Sequence, residues 1–591
     1  MQEDVESCES TAPPVVSLPF ETMNCLVAEQ AETIKVSGQS SRREPRSIDA
    51  FLDEAYEDKT KGIKWTYWIV MISLGLSNSS ESAELISIGF LLSDPTFQTK
   101  MLQVNWHGSL LASSLYVGML TGTLFVGALG DVIGRRPLVR VSLAMVAVLG
   151  ILSSFSLNIY QLSLLRALTG IGIGSLGAPL MALSSELAPP SRRGLFVTIV
   201  SCSWLVGSIY VAVVAWIILA PQNGSWRWFL VAMAVPSIVT SLLVSLLVVE
   251  SPRFQAIQQQ QEEAVLSVQR LAKQMRYSGP PMTIDEMLHH YPKTTTNTFS
   301  VVSSDGTSAA YNQGSFGTSW PQMYKKCVRA SVNFGRSTLK LYDRQLVRTT
   351  GLLQIVWIGL CFGSNGISLW ITRLFQEVHM SNIYLDAVIF AVAQIPGFLL
   401  TVFLIDWTTR QRVLSIGFLS SAVSLIAFAY FASGATSSSS STTTTLGVVT
   451  AACAFQACMQ IAWNTVSVVT TERFPTVVRA TAYAVLSASG KVSGAAANFV
   501  NGFLISWPVM LLLLTSAFMV MAGVAPFGLE EMHGNVLKDD LHTSESDKSL
   551  ETGEGTPVAS LSGDDHDDDT RDLISDENTS IMKRDYSYQS M

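Results

Sequence analysis

Long apolar stretches alternate along this chain with short polar stretches that carry arginine. A helix of roughly 20 apolar residues crosses the hydrocarbon of a bilayer, roughly 30 Å thick. Segments of that kind recur twelve times, at 65–92, 107–130, 137–157, 159–186, 195–219, 226–249, 350–376, 384–405, 412–433, 446–471, 478–505 and 507–529. Six spans are followed by a polar connection and then by six more. The pattern predicts an all-α membrane protein, with twelve transmembrane helices in two six-helix bundles. Its expected divisions are an acidic cytosolic region (1–64), an N-terminal bundle (65–249), a cytosolic connection (250–349), a C-terminal bundle (350–529) and a disordered acidic tail (530–591).

The connection has a pattern of its own. Val265, Val268, Leu271, Ala272 and Met275 repeat at helical spacing and predict an amphipathic helix. A Ser/Thr/Gly-rich part (292–319) reads as disordered. The basic residues Lys325, Lys326, Arg329, Arg336, Lys340, Arg344 and Arg348 then suit an anionic lipid surface.

Orientation follows from basic residues in short loops. Loops after even-numbered spans hold Arg135, Arg136, Arg140, Arg192, Arg193, Arg410, Arg412, Arg473 and Arg479, whereas those after odd-numbered spans hold only Lys100 and Arg227. Both tails and the connection are therefore expected in the cytosol. The polar, acidic start makes the first span the expected insertion signal.

Composition agrees with this reading. Of 591 residues, 48% are hydrophobic and 14% charged, against about 25% charged in soluble domains. The net charge of −8 hides a division: residues 1–64 carry −6, the tail from Glu530 carries −12, and the middle carries +10. Seven cysteines form no CxxC pair, and the seven histidines avoid span centres. Disulfide frameworks, metal cages and cofactors are not expected, nor is a nucleic-acid partner. No nucleophile–base set supports an enzyme.

The halves echo each other. Glu186, Pro189 and Arg193 in "ELAPPSRRG" match Glu472, Pro475 and Arg479 in "ERFPTVVRA" at one offset of 286, and "GDVIGRRP" is echoed by "IDWTTRQR" at an offset of 275. Two related six-span halves suit a carrier whose site lies between them.

Ionisable residues inside spans are the candidate chemistry, because a charge at the bilayer centre costs about 3 kcal/mol on insertion scales. "SNSSESAELISIGF" in span 1 places Glu81 and Glu84 at i and i+3, on one helical face. Arg166 in span 4 is the nearest plausible counter-charge in that half. A buried carboxylate beside a guanidinium stays ionised, whereas an isolated one takes up a proton. Two carboxyls and one arginine can thus alternate between pairing and protonation. A fixed structural ion pair, or direct contact with a cationic solute, are the other readings. Gly170, Gly172, Gly174 and Gly177 are expected to thin one face of span 4 for close packing. Lys491 in span 11 is a candidate for solute or counter-ion contact. Trp204, Asn365, Trp463 and Asn464 are candidates for a cavity wall. Arg373 is expected to pair with Glu377.

Gly127, Asp131, Gly134, Arg135 and Arg136 read as the loop signature of the major facilitator superfamily, with Val132 where a basic residue often follows the aspartate. With Glu186, Arg193, Asp406, Arg410, Glu472 and Arg479 they form the candidate gating motif. "RALTGIGIG" looks like the second superfamily motif, in which the arginine is tied to proton transfer. "FLDEAYEDKTKGIKWTYWI", "SWLVGSIYVAVVAW", "ESPRFQAI", "AWNTVSVVTTERFP" and "ASGKVSG" extend the resemblance to the synaptic vesicle glycoprotein family and its vesicular-transporter relatives. That resemblance implies a facilitator with a central cavity, coupled to protons or another ion and moving a small organic solute, with Glu84, Arg166, Trp204, Trp463, Asn464 and Lys491 facing the cavity. Between spans 7 and 8 only "HMSNIY" fits, where the glycoproteins hold a large lumenal domain, and Ser467 stands where an acidic residue is expected. Organic-ion carriers share most of these motifs. Sugar porters share "ESPR" but have paired glutamines where span 7 reads "GLCFGSN". A non-transporting sensor or scaffold is the other alternative.

In the tail, "DTRDLI" fits an acidic dileucine sorting pattern and the final "YQSM" a tyrosine-based one. They point to sorting adaptors and to endosomal, vesicular or vacuolar membrane as alternatives to the plasma membrane. Asn223 is a glycosylation sequon. Protons, lipids and a small solute are the remaining expected partners of a monomer.

Overall fold

Apolar length makes the spans helical, because a lipid-exposed backbone must satisfy its own hydrogen bonds. The computed structural model describes residues 45–58, 64–104, 106–126, 130–221, 224–292, 334–380, 382–436 and 442–529. Its N-terminal bundle comprises α1 (Trp65–Ser93), α2 (Trp106–Thr121), α3 (Arg135–Ser153), α4 (Ile159–Leu187), α5 (Arg193–Leu219) and α6 (Trp226–Leu247). The C-terminal bundle comprises α7 (Val347–Glu377), α8 (Ile383–Val392, continuing as Gln394–Trp407), α9 (Arg410–Thr436), α10 (Thr442–Arg473), α11 (Thr476–Leu504) and α12 (Pro508–Val524). The break in α8 has a local cause, since Pro396 has no N–H to offer the carbonyl four residues back. A π-helical turn, Gly122–Val126, extends α2.

Among the described residues, ten helices are long and apolar enough to cross a membrane. The exceptions among the twelve are α1 and α11. Both are long enough, but α1 carries Ser77 to Ser80, Glu81, Ser82 and Glu84, and α11 carries Arg479, Lys491 and Asn498. The least apolar helices are thus the ones that bear the candidate chemistry.

Within the N-terminal bundle α1 packs on α5 and α6, and α4 packs on α2 and α3; within the C-terminal bundle α7 packs on α11 and α12, and α9 on α10 and α12. The glycines of α4 divide between two faces rather than thinning one. Gly170 and Gly174 lie against α2, Gly172 lies against α3, and Gly177 faces open space. A 3.6-residue turn sets positions 170 and 174 on one side and 172 nearly opposite.

One end of the bundles carries the arginine loops and a cap, and is called here the basic end. The expected amphipathic helix is present as Gln261–Gln274, with Val265, Val268, Leu271 and Ala272 buried. A second, shorter amphipathic helix, Ile48–Glu57, lies within the region expected to be an acidic tail. Ser47 caps it, and Ile48, Phe51, Leu52 and Ala55 join one core with Val268, Leu271, Met287 and the ends of α1, α4 and α6. Asp49 pairs with Arg193 and Arg253, and Asp53 accepts from Ser191. Arg46 pairs with Glu54 and Glu286. The segment straps the connection onto the N-terminal bundle.

Candidate functional site

The ionisable residues of α1 part company. Glu84 is fully buried and pairs directly with fully buried Arg166 of α4. α3 and α6 close over the carboxylate: a Cβ at Gly150 would lie 2.9 Å from Glu84 Oε1 and 3.3 Å from Ala234 Cβ. The pair is incompletely satisfied, as Arg166 Nε and Nη2 and Glu84 Oε1 find no hydrogen-bond partner among the described residues.

Glu81 takes another route. It is half-buried and its charge is felt by Lys491 of α11, in the other bundle, without a direct ion pair between them. Of the two carboxyls expected to alternate on Arg166, Glu84 is the one that holds the guanidinium in this structure. Three residues turn a helix by about 300°, so the two glutamates share a broad face yet look into different surroundings.

Lys491 Nζ donates to Ser487 Oγ at 2.8 Å. Tyr483, Ser487 and Lys491 are spaced by four and form one stripe along α11. Trp357, Cys361 and Ser364 form a facing stripe on α7, and Trp463 and Ser467 another on α10. Trp463 Nε1 donates to Ser364 Oγ at 2.7 Å and Trp357 Nε1 to Thr470 Oγ1 at 3.1 Å. The Trp357 ring meets Trp463 edge-on at 6.3 Å and Tyr483 at 5.5 Å. From α2, Tyr116 lies against Gly494; from α7, Cys361 lies against Gly490. Tyr116, Trp357, Ser364, Tyr483 and Ser487 were not singled out from the sequence; of these, Tyr483 and Ser487 carried a signal in their four-residue spacing before Lys491.

The other cavity candidates scatter. Asn464 Nδ2 donates to Thr401 Oγ1 at 3.3 Å and its Oδ1 accepts from Gln460 at 3.0 Å, so α8 and α10 share it. Asn365 is half-buried on α7, one residue from Ser364. Trp204 on α5 packs, half-buried, against a core formed by α1, α2 and α6 with α7 and α8.

The bundles meet along three helix pairs, α1–α7, α2–α11 and α5–α8. Ser93 donates to Thr372 at 2.7 Å, Ser113 to the Ala495 carbonyl at 2.9 Å, and Gln394 to Ser208 at 3.0 Å. These bonds run from mid-depth towards the end opposite the arginine loops.

At the basic end the motif residues form two equivalent clasps. Arg135, at the start of α3, pairs with Glu186, at the end of α4, at 3.1 Å. Arg410, at the start of α9, pairs with Glu472, at the end of α10. The N-terminal clasp has an addition: Glu250 accepts the Arg136 backbone N–H at 3.2 Å, and the Arg136 guanidinium donates to the Ser245 carbonyl at 2.7 Å. Gly134 makes room with φ +114°, since a Cβ there would lie 2.6 Å from Glu250 Oε2. Arg193 turns to Asp49, and Arg479 donates to the Phe474 carbonyl at 3.3 Å. Arg373 pairs with Glu377 at 3.2 Å. Gly127, the Asp131 and Asp406 side chains, Asn223, Lys325, Lys326, Arg329 and both sorting motifs lie outside the described residues. Among the described residues no cluster of His, Cys, Asp and Glu has the makings of a metal site.

The family described as "Sugar (and other) transporter" matches residues 75–529. The chain belongs to that family, within the major facilitator superfamily. It is 27% identical to organic cation/carnitine transporter 7 of Arabidopsis thaliana, over 72% of this chain and 83% of that one. It is 26% identical to synaptic vesicle glycoprotein 2C of Rattus norvegicus over 53% of this chain, a match that spans only 43% of the relative. The fold is similar to the inward-open conformation of the xylose transporter XylE from E. coli, with a TM-score of 0.59, 16% identity and coverage of 80% of this chain and 98% of that one.

Proposed function

We propose that this protein is a secondary active carrier of a small charged organic solute, moved by alternating access and coupled to protons. The observation that carries the reading is the fully buried Glu84–Arg166 pair, with donors and an acceptor left over. An unpaired buried charge is expensive, so a proton arriving on Glu84 releases Arg166 and biases the packing of α1 against α4. In this reading the basic end is cytosolic, and the bonds between bundles hold the opposite side closed. Rocking of the bundles about that seam would open it, and the two clasps would travel as rigid parts of their own halves. The kinship with an organic cation/carnitine transporter supports a charged solute, and that with synaptic vesicle proteins supports a vesicular or endosomal membrane reached through tail-binding adaptors.

The test is solute flux in proteoliposomes under an imposed pH gradient. Wild-type uptake should follow the gradient. Glu84→Gln should abolish gradient-driven uptake and leave solute exchange at equal pH in place. Uptake by Glu84→Gln that still follows the gradient sinks proton coupling at this pair.

A further inference from the structure

We propose that Ser191, in the loop between α4 and α5, is a phosphorylation site, and that a phosphate there releases the strap Ile48–Glu57 from the N-terminal bundle. The inference goes beyond the carrier reading and rests on it in one respect, the placing of the basic end in the cytosol, where ATP and protein kinases are.

The loop offers the hydroxyl to solvent. α4 ends at Leu187, Ala188 and Pro189 are extended, and one turn, Pro190–Arg192, leads into α5. Ser191 and Arg192 are exposed, and a Cβ at Gly194 would meet nothing within 4 Å. Arg192 and Arg193 follow the serine directly. Two guanidiniums beside a free hydroxyl suit a basophilic kinase, whose peptide groove is lined with carboxylates.

That hydroxyl is also where the strap is attached. Ser191 Oγ donates to Asp53 Oδ1 at 2.8 Å, and the Ser191 backbone N–H donates to the same oxygen at 3.0 Å. One turn earlier on the strap, Asp49 pairs with Arg193 at 3.2 Å and with Arg253. In the transfer, Ser191 Oγ bonds to the γ-phosphorus of ATP while the bond from that phosphorus to the β,γ-bridging oxygen breaks. ADP leaves with the electron pair, and the hydroxyl proton passes to the base of the kinase. The donor to Asp53 is lost, and a group of charge about −1.5 to −2 faces the carboxylate instead. The same phosphate offers Arg193, two residues on, a stronger partner than Asp49. Both acidic grips of the strap are thus opposed by one modification. The effect reaches a membrane span, because Lys64, the residue before α1, donates to the Ala55 carbonyl at 2.6 Å and to the Tyr56 carbonyl. Tyr56 in turn meets Tyr67 of α1 and Phe196 of α5 edge-on.

The experiment treats the purified full-length protein in detergent with a basophilic kinase and magnesium ATP. Mass spectrometry locates the phosphate, and hydrogen exchange follows the amides of Ile48–Glu57. Ser191 should be modified, and strap exchange should rise roughly tenfold, as expected when a charge-assisted contact turns into a repulsion. A phosphatase should reverse the change. Ser191→Ala should take no phosphate in this loop and keep a closed strap under kinase, which excludes other modified sites as the cause. Asp53→Asn gives the phosphate an amide to face, so its strap should open several-fold less on phosphorylation. An unmodified Ser191, a phosphorylated loop under an unchanged strap, or equal opening in Asp53→Asn each overturn the inference. Orientation is tested apart, with an epitope tag at the N-terminus of the protein in intact cells: a tag that antibody reaches without permeabilisation refutes the cytosolic placement and the switch with it. Strap release in a protein that moves no solute in proteoliposomes refutes the carrier and keeps the switch.

Discussion

In the N-terminal bundle Arg135 meets Glu186 where α3 begins and α4 ends; in the C-terminal bundle Arg410 meets Glu472 where α9 begins and α10 ends. The sequence offsets of 275 and 286 are thereby the footprint of one repeated clasp. At mid-depth the likeness stops. The N-terminal bundle encloses both members of one ion pair, Glu84 and Arg166, whereas Lys491 of the C-terminal bundle donates to Ser487 and has no ion pair within its own half among the described residues. A feature that holds a bundle together can be copied into both halves. A feature that acts between halves needs opposite signs on the two sides, which a faithful copy cannot supply.

The largest test of that difference is removal of one buried partner. Glu84→Gln or Arg166→Met should each destabilise the protein by about 3–5 kcal/mol, because the first leaves Arg166 charged and unpaired and the second leaves a buried carboxyl that must take up a proton. The double variant Glu84→Gln/Arg166→Met should recover much of the loss. Lys491→Met, on a half-buried residue, should cost far less. Unfolding of the detergent-solubilised protein measures all four. A Lys491→Met loss as large as that of Arg166→Met would erase the distinction between enclosed and shared charge.

Next comes the turn before the clasp. Gly134 holds φ +114°, and a side chain there also meets Glu250. Gly134→Ala should cost about 1–3 kcal/mol, the range for a residue forced into a region open to glycine. The repeat places Thr409 at the equivalent position before Arg410, and its backbone is not left-handed. Thr409→Gly should therefore change stability by only a few tenths of a kcal/mol, the usual difference between Thr and Gly at a helix start. The same unfolding assay compares the two.

The clasps themselves should matter less. Arg135 and Glu186 are each 17% exposed, and Arg410 and Glu472 are 42% and 30% exposed. Arg135→Ala and Arg410→Ala should cost about 0.2–1 kcal/mol each, as partly exposed pairs do. The Arg410 effect should be the smaller, and high salt should shrink both. Unfolding at low and high salt checks the order.

How much of this could be read from residues alone follows from the range of the forces involved. Apolar length is a local property, so the spans were legible. So was the helix Gln261–Gln274, whose buried stripe was written at 3.6-residue spacing. Glu84 and Arg166 were legible as partners because two opposite charges in one apolar half have few other ways to be satisfied. Glu81 was read with the same arginine, which this structure places on Glu84; no rule of spacing says which side of a helix meets another bundle. The strap Ile48–Glu57 was missed for a different reason. Ile48, Phe51, Leu52 and Ala55 carry the helical pattern, but acidic residues among them gave the segment the look of a solvated tail. On one helix, an acidic face and an apolar face are compatible.

The smallest effect separates the strap from the clasp beneath it by pH. Burial pushes the Glu286 carboxyl up, but hydrogen bonds from Arg46 and from the Thr283 backbone outweigh it and hold the group below 4.5. A carboxyl held low in the folded protein contributes fully above pH 4.5, and its contribution disappears as pH falls through the lowered value. Glu250 in the clasp runs the other way: burial, opposed by backbone N–H groups, leaves it raised above 4.5. Its preference for the folded state grows as pH falls through the raised value towards 4.5. Acidification should therefore loosen Ile48–Glu57 while the α3 start holds. The strap's share is about 1 kcal/mol or less, in keeping with a partly exposed pair. Hydrogen exchange across this range reads the two sites separately. Arg46→Ala should make strap exchange faster and independent of pH near the Glu286 titration, without altering the Gly134–Arg136 amides. Equal acid sensitivity at both sites, surviving Arg46→Ala, would mean that strap and clasp open as one unit.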